Sequence, residues 1–199
     1  MRIGIFGGTF DPPHIGHLIL AQDAIEQMSL DHVLWVLTPF PPHKIDQIIS
    51  PLQDRVSMVL LAITGNKKFK FSRVDINRQP PHYAADTVSL LRNSFPKDEF
   101  YYLMGADSLN DLPTWHTPDL FVSLCHGIGI MVRQDESFDI TQLEIKIPGL
   151  SRKLHFLETP IIEVSGSDIR KRVSARKQFR YFVPDMVFQY ILDHKLYQV

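Results

Sequence analysis

Short apolar runs alternate with helical patterns through residue 132, and that alternation limits the fold more than any other feature of the chain. Ile3–Phe6, Val33–Leu37, Phe69–Val74, Phe100–Met104 and Ile128–Val132 have the length and character of buried strands. Between them, Leu18, Ala21, Ile25 and Met28 fall on one helical face, as do Leu52, Val56, Val59, Leu60 and Ile63. Ala84, Val88 and Leu91 continue the pattern. Strand–helix alternation at this spacing implies right-handed βαβ units and a parallel sheet. The expected class is α/β: a doubly wound Rossmann-like parallel sheet with a small C-terminal helical part. Ligands of such sheets sit beyond the C-terminal ends of the strands, where the strand order reverses.

The rest of the chain reads differently. Leu154–Leu157 and Ile161–Val164 look like short strands, Ser165 to about Ser174 a helix, and Pro184 to about His194 a last helix. No linker, repeat or low-complexity tract interrupts the chain. One domain over 1–199 is therefore expected, with its helical part at about 165–199. Two polar loops, Thr38–Ser50 and Arg133–Ile140, are long for a compact domain, and such loops are more often functional than idle.

Composition excludes several classes. The chain is 44% hydrophobic, enough for a packed core, and its net charge is −1, so it is no polycation and no nucleic-acid partner is expected. A single cysteine, Cys125, precludes an internal disulfide and suits a reducing cytoplasm, the expected location. Met1 to Phe6 runs directly into Gly7-Gly8 without a long apolar region, so no export signal is read there. The longest apolar-leaning stretch, Leu120–Val132, has 13 residues, well under the ~20 that span a bilayer, and no membrane partner is expected.

The strongest chemical signal is Gly7-Gly8-Thr9-Phe10-Asp11-Pro12-Pro13-His14-Ile15-Gly16-His17, between a predicted strand and a predicted helix. The glycines let the backbone turn tightly and approach a ligand. A helix start supplies free N–H groups and partial positive charge, which suit phosphate. His14 and His17 are three apart and share one face of the first turn. The P-loop lysine and the third dinucleotide glycine are both missing, so this is neither of those motifs. Two histidines without a clear third ligand make a weak metal site, and no protein-held metal is expected.

A second signal, Val164-Ser165-Gly166-Ser167-Asp168-Ile169-Arg170, combines a capping pattern at Ser165 and Asp168 with an arginine one turn in. On spacing alone, it fits either a capped surface helix or an anion site made of hydroxyl, backbone N–H and guanidinium.

His14-Ile15-Gly16-His17 resembles the HxGH motif of the nucleotidyltransferase superfamily, which is shared with class I aminoacyl-tRNA synthetases. The longer Gly-Gly-Thr-Phe-Asp-Pro-x-His-x-Gly-His resembles one branch of it, the bacterial nicotinate mononucleotide adenylyltransferases. The resemblance implies that Gly7, Gly8, Thr9, Phe10, His14 and His17 bind ATP. Where that family has Ile-Ser-Ser-Thr-x-x-Arg against the triphosphate, Ser165 and Arg170 match, with Ile169 alongside; Gly166 replaces the second serine and Ser167 the threonine. Pro41-Pro42-His43-Lys44 matches a family segment that puts Lys44 near the reacting phosphates. Gly105 and Asp107 match a Gly-x-Asp segment against the adenosine. Arg133 stands where the family has Arg-Pro-Gly, with Gln134-Asp135 replacing Pro-Gly. On the acceptor side, the resemblance implies that Trp115 stacks on the pyridine ring. It also implies that the segment with Tyr83, Ala84 and Thr87 holds the nicotinate carboxylate through backbone N–H groups, although His82 and Ala84 depart from the family pattern.

The implied reaction joins ATP and nicotinate mononucleotide to give deamido-NAD and pyrophosphate, with His14, His17, Lys44 and Arg170 as the catalytic set. Mg²⁺ would be the cofactor, carried mainly by the ATP phosphates. Homo-oligomerisation is left open. The rivals are a phosphopantetheine adenylyltransferase, a nicotinamide mononucleotide enzyme and a non-catalytic nucleotide sensor; a class I synthetase would need room for a tRNA-binding domain.

Overall fold

The computed structural model of the protein describes residues 1–41, 49–132, 138–160 and 162–198. The apolar runs become β1 (Arg2–Gly8), β2 (His32–Leu37), β3 (Phe69–Ser72), β4 (Glu99–Gly105), β5 (Gly127–Met131) and β6 (Leu154–Leu157). Among the described residues these form one six-stranded sheet in the order β3-β2-β1-β4-β5-β6. Every pairing is parallel. The helices are α1 (Ile15–Gln27), α2 (Leu52–Ile63), α3 (Ala84–Ser94), α4 (Ala106–Asp111), α5 (Pro118–Leu124), α6 (Ile140–Lys146), α7 (Gly166–Ser174) and α8 (Asp185–Asp193). The chain builds outward from β1 through β2 to β3, then returns to lay β4 on the other side of β1. That reversal opens a crevice beyond the C-terminal ends of β1 and β4.

Alternation of side chains along the strands separates two cores. Ile3 and Ile5 of β1 pack with Val88 of α3, Leu109 of α4 and Phe121 of α5 on one face. Phe6 packs on the other with Leu20 and Ile25 of α1 and Val59 of α2. A third cluster joins Met58 and Ala62 of α2 to Ile169 and Val173 of α7 and to Val187 and Ile191 of α8. The C-terminal helices are thus fastened to the back of α2. The doubly wound parallel sheet expected from the sequence is present.

One expected strand is not. Residues 162–164 make no ladder; Val164 donates its N–H to the Ile162 carbonyl at 3.0 Å, and its side chain joins the third cluster. An apolar run of that length serves a helix interface as well as a sheet, and periodicity does not tell them apart. β3 also ends at Ser72, two residues short of the apolar run.

Candidate active site

β1 delivers the first loop to the crevice. His14 is the extended N-cap residue of α1, and its backbone N–H donates to Nδ1 of His17 at 3.1 Å. The two rings stack, with centroids 3.6 Å apart and 24° between planes. The x-Gly between them has a steric cause. A Cβ on Gly16 would meet Nδ1 of His14 at 3.2 Å, so with a larger residue that ring would have to give by a few tenths of an ångström. The His17 ring is also braced edge-on by Phe6 and Phe10, at 5.6 and 5.2 Å. Phe10 is buried at φ +49°, a conformation that bends the chain after Gly7 and Gly8, the last residues of β1.

The start of α7 lies against this loop. Ser165 is its N-cap; Oγ accepts from the Asp168 N–H at 3.1 Å, and the hydroxyl donates to the Asp168 carboxylate at 2.7 Å. Arg170 donates from Nη1 to the backbone carbonyl of Asp11 at 2.6 Å, across 159 residues of sequence. Gly166 is required by the same contact, since a Cβ there would come within 2.9 Å of the Asp11 carbonyl oxygen. The cap is therefore formed, Arg170 reaches the first loop, and the two helix starts lie against one another at Asp11. Ile169 contributes differently: its side chain is wholly in the core and its N–H is bonded to the Ser165 carbonyl.

Two supports escaped sequence reasoning. Arg55 of α2 is buried, and its guanidinium donates to the carbonyls of Ser50, Thr9, Thr38 and Pro39 at 2.8–3.2 Å. It thereby ties the first loop to both described ends of the proline-rich loop. Burial lowers its pKa, opposed by the nearby Asp11 carboxylate. Asp11 is also buried; it accepts from the Ser50 N–H at 3.1 Å and from the Tyr197 hydroxyl at 2.7 Å. Arg55 lies in a segment whose local pattern is ordinary, and the first motif gives Asp11 no role of its own. Only the tertiary fold gives them common partners.

The expected acceptor side is built on the approach to α3. Tyr83 is the N-cap residue of α3 with no side-chain cap bond, so the first-turn amides are left without one. Its ring stacks on His116 at 4.1 Å. Arg78 pairs with the buried Asp75 at 2.9 Å and donates to the carbonyls of Pro81 and Tyr83 at 2.7 and 3.2 Å, pinning the segment. Thr87 is buried, and its hydroxyl is engaged by Asp75, Arg78 and the Tyr83 carbonyl. Thr87 therefore braces the helix start rather than presenting a free hydroxyl. Ala84 opens the helix, half-buried. Trp115, also half-buried, meets Phe121 at 5.3 Å and the edge of Tyr102 at 6.2 Å. The Tyr102 hydroxyl lies beside Gly7, which links the tryptophan to the first loop, and burial raises that hydroxyl's pKa well above the ordinary value.

Gly105 ends β4 and precedes α4; the Asp107 carboxylate folds over it and accepts from the Ser108 N–H at 2.9 Å. Lys44 and Arg133, expected at the phosphates, lie outside the described residues.

Comparison with known proteins agrees with this geometry. Residues 5–172 match the cytidylyltransferase-like family. The chain is 41% identical to the probable nicotinate-nucleotide adenylyltransferase of Thermomicrobium roseum, covering 99% of this chain and 92% of that one. It is 38% identical to the nicotinate-nucleotide adenylyltransferase of Bacillus subtilis, over 99% and 98%. In fold it resembles Plasmodium falciparum nicotinic acid mononucleotide adenylyltransferase complexed with NaAD, with a TM-score of 0.79 at 20% identity over 98% and 97% of the two chains. With both phosphate-type helix starts meeting at the switch point and full-length relatives of this kind, the chain belongs to the cytidylyltransferase-like family, among its nicotinate-nucleotide adenylyltransferases.

Proposed function

We propose that the protein transfers the adenylyl group of ATP to nicotinate mononucleotide, giving deamido-NAD and pyrophosphate. The observation that carries this is the 2.6 Å bond from Arg170 to the Asp11 carbonyl, which sets the start of α7 beside the loop that bears His14 and His17. A long polyphosphate fits between two such helix starts. An oxygen of the acceptor 5′-phosphate attacks the α-phosphorus of ATP in line; the bond to the bridging oxygen breaks, and pyrophosphate leaves with its electron pair. The nucleophile is already anionic at neutral pH, so no general base is needed. Catalysis then rests on positioning and on charge stabilisation. His14, His17 and Arg170 supply donors and positive charge, and Gly7, Gly8, Thr9 and Phe10 shape the loop around the phosphates. Lys44 and Arg133 are proposed to add charge, on the family resemblance alone.

Mg²⁺ bound with the nucleotide would supply charge neutralisation at the triphosphate. Its oxygen ligands are proposed to come mainly from the phosphates. No three His, Cys, Asp or Glu side chains gather as a metal cage among the described residues.

The acceptor is proposed to stack its pyridine ring on Trp115 and to set its carboxylate at the uncapped start of α3. No helix among the described residues is long and apolar enough to cross a membrane. The test is pyrophosphate release from ATP with nicotinate mononucleotide, nicotinamide mononucleotide or phosphopantetheine as acceptor. Release with the first, at the highest kcat/KM, is expected; no release with any acceptor would overturn the proposal.

A further inference from the structure

The chain does not end with α8. Lys195 and Tyr197 follow it at φ +52° and +62°, a left-handed conformation that non-glycine residues rarely adopt. Two such residues, one on each side of Leu196, bend the tail over the third core cluster, against which Leu196 and Tyr197 pack. Such conformations persist where surrounding contacts hold them. The holding contact is the Tyr197 hydroxyl, which donates to the Asp11 carboxylate at 2.7 Å, across 186 residues of sequence. The same hydroxyl lies 3.8 Å from Sδ of Met58 on α2.

Asp11 is the residue on which everything converges. Its carboxylate binds Tyr197 and the Ser50 N–H, and its backbone carbonyl binds Arg170 and abuts Gly166. A small rotation of Asp11 therefore moves Arg170 relative to His14, three residues away in the chain. We infer that Tyr197 is a positioning residue: through Asp11, the C-terminal tail sets the spacing between the two helix starts that hold ATP. The inference rests on the proposed nucleotide site, and it makes no claim about the acceptor side. Burial and Asp11 raise the Tyr197 pKa, so the hydroxyl stays a donor across the working pH range.

The test is Tyr197→Phe, alone and combined with Asp11→Ala, assayed by pyrophosphate release. The ring is kept, so the packing against α2 survives. Wild-type release with nicotinate mononucleotide first establishes the activity; its absence would remove the underlying reading rather than this one. Misplacement of reacting groups by ~1 Å is able to cost ~100-fold; a shift transmitted through one hydrogen bond should cost about tenfold. Expected is an approximately tenfold loss in kcat/KM for ATP with the acceptor KM unchanged. Tyr197→Phe should add nothing further in the Asp11→Ala background, because alanine already removes the oxygen that accepts from the tyrosine. Wild-type kinetics, equal effects on both substrates, or additive effects of the two substitutions would each overturn the inference. A merely structural tyrosine would lower the melting temperature or the active fraction and leave the KM for ATP alone.

Discussion

At the scale of single residues, function depends on close approaches that one atom would spoil. His17 is locked by the His14 N–H, the His14 ring and two phenylalanine edges, a preorganised arrangement rather than a mobile surface histidine. His17→Ala should lower kcat/KM by at least ~100-fold, the usual scale for one preorganised transition-state donor, while far-UV circular dichroism stays native. Near-normal turnover would remove His17 from the mechanism. Arg170→Lys should also be damaging, because an ammonium cannot hold Asp11 and a phosphate with the geometry of a guanidinium fork; a wild-type KM for ATP would contradict this. Gly166 gives a prediction against the family pattern. Restoring the serine found in that family should destabilise this chain by about 1–3 kcal/mol, the scale of an overpacked contact, because its Cβ would lie 2.9 Å from a backbone oxygen. An unchanged urea midpoint for Gly166→Ser would show that the loop yields.

At the scale of elements, one buried side chain often decides where a loop sits. Among the described residues, Arg55 joins α2 to two loops through hydrogen bonds to carbonyls alone. Arg55→Met would keep the bulk and strip the donors from four carbonyls, each worth ~1–3 kcal/mol when left unsatisfied in a buried setting. Loss of at least ~3 kcal/mol of unfolding free energy is expected, together with a raised KM for ATP. The start of α3 gives an element-level test of specificity. Its first-turn amides, which take no cap bond from the Tyr83 side chain, would suit a carboxylate, which only accepts, and would face the NH₂ of a carboxamide with donor against donor. Nicotinate mononucleotide should therefore be preferred by roughly 5- to 150-fold in kcat/KM, the equivalent of ~1–3 kcal/mol. Trp115→Ala should weaken both acceptors by similar factors, since stacking sees the ring and not its substituent. Equal kcat/KM for the two acceptors on the wild type would refute the carboxylate preference.

At the scale of the whole molecule, three histidines outside the HxGH motif link folding to pH. Burial lowers the pKa of His32, His82 and His126 from the ordinary 6.5. His82 is buried beneath Phe40, and among the described residues neither ring nitrogen has a hydrogen-bond partner. His126 accepts the Phe100 N–H on Nδ1, a role that protonation of that nitrogen would end. In each case the unfolded chain binds a proton more readily than the native one. Stability is therefore complete above about pH 6.5 and falls as pH drops below it. The urea midpoint at pH 5.5 should lie below that at pH 7.5, and His82→Gln should shrink the difference. A midpoint independent of pH over that interval would show that these groups are not held neutral by the fold.

The order of strands and helices, the parallel sheet and the places where α1 and α7 start were legible in the chain because their causes are local. Apolar periodicity, a strand–glycine–helix junction and a hydroxyl before a helix each act over a few residues, and the fold followed from repeating them. The short α4, α5 and α6 lack enough turns for a period to be read, and Ile161–Val164 could serve sheet or helix packing equally. What only the tertiary structure decided is the set of partners brought from far along the chain. Asp11 meets Arg170 and Tyr197 across 159 and 186 residues, and Arg55 meets Thr9 across 46. Asp75 and Thr87 form the brace beneath α3. A buried charge or carboxylate needs donors and acceptors wherever the fold supplies them, and no local spacing encodes a partner that arrives from another element. The two helix starts were therefore written in the sequence, while their meeting at Asp11 rests on contacts that only the tertiary fold supplies.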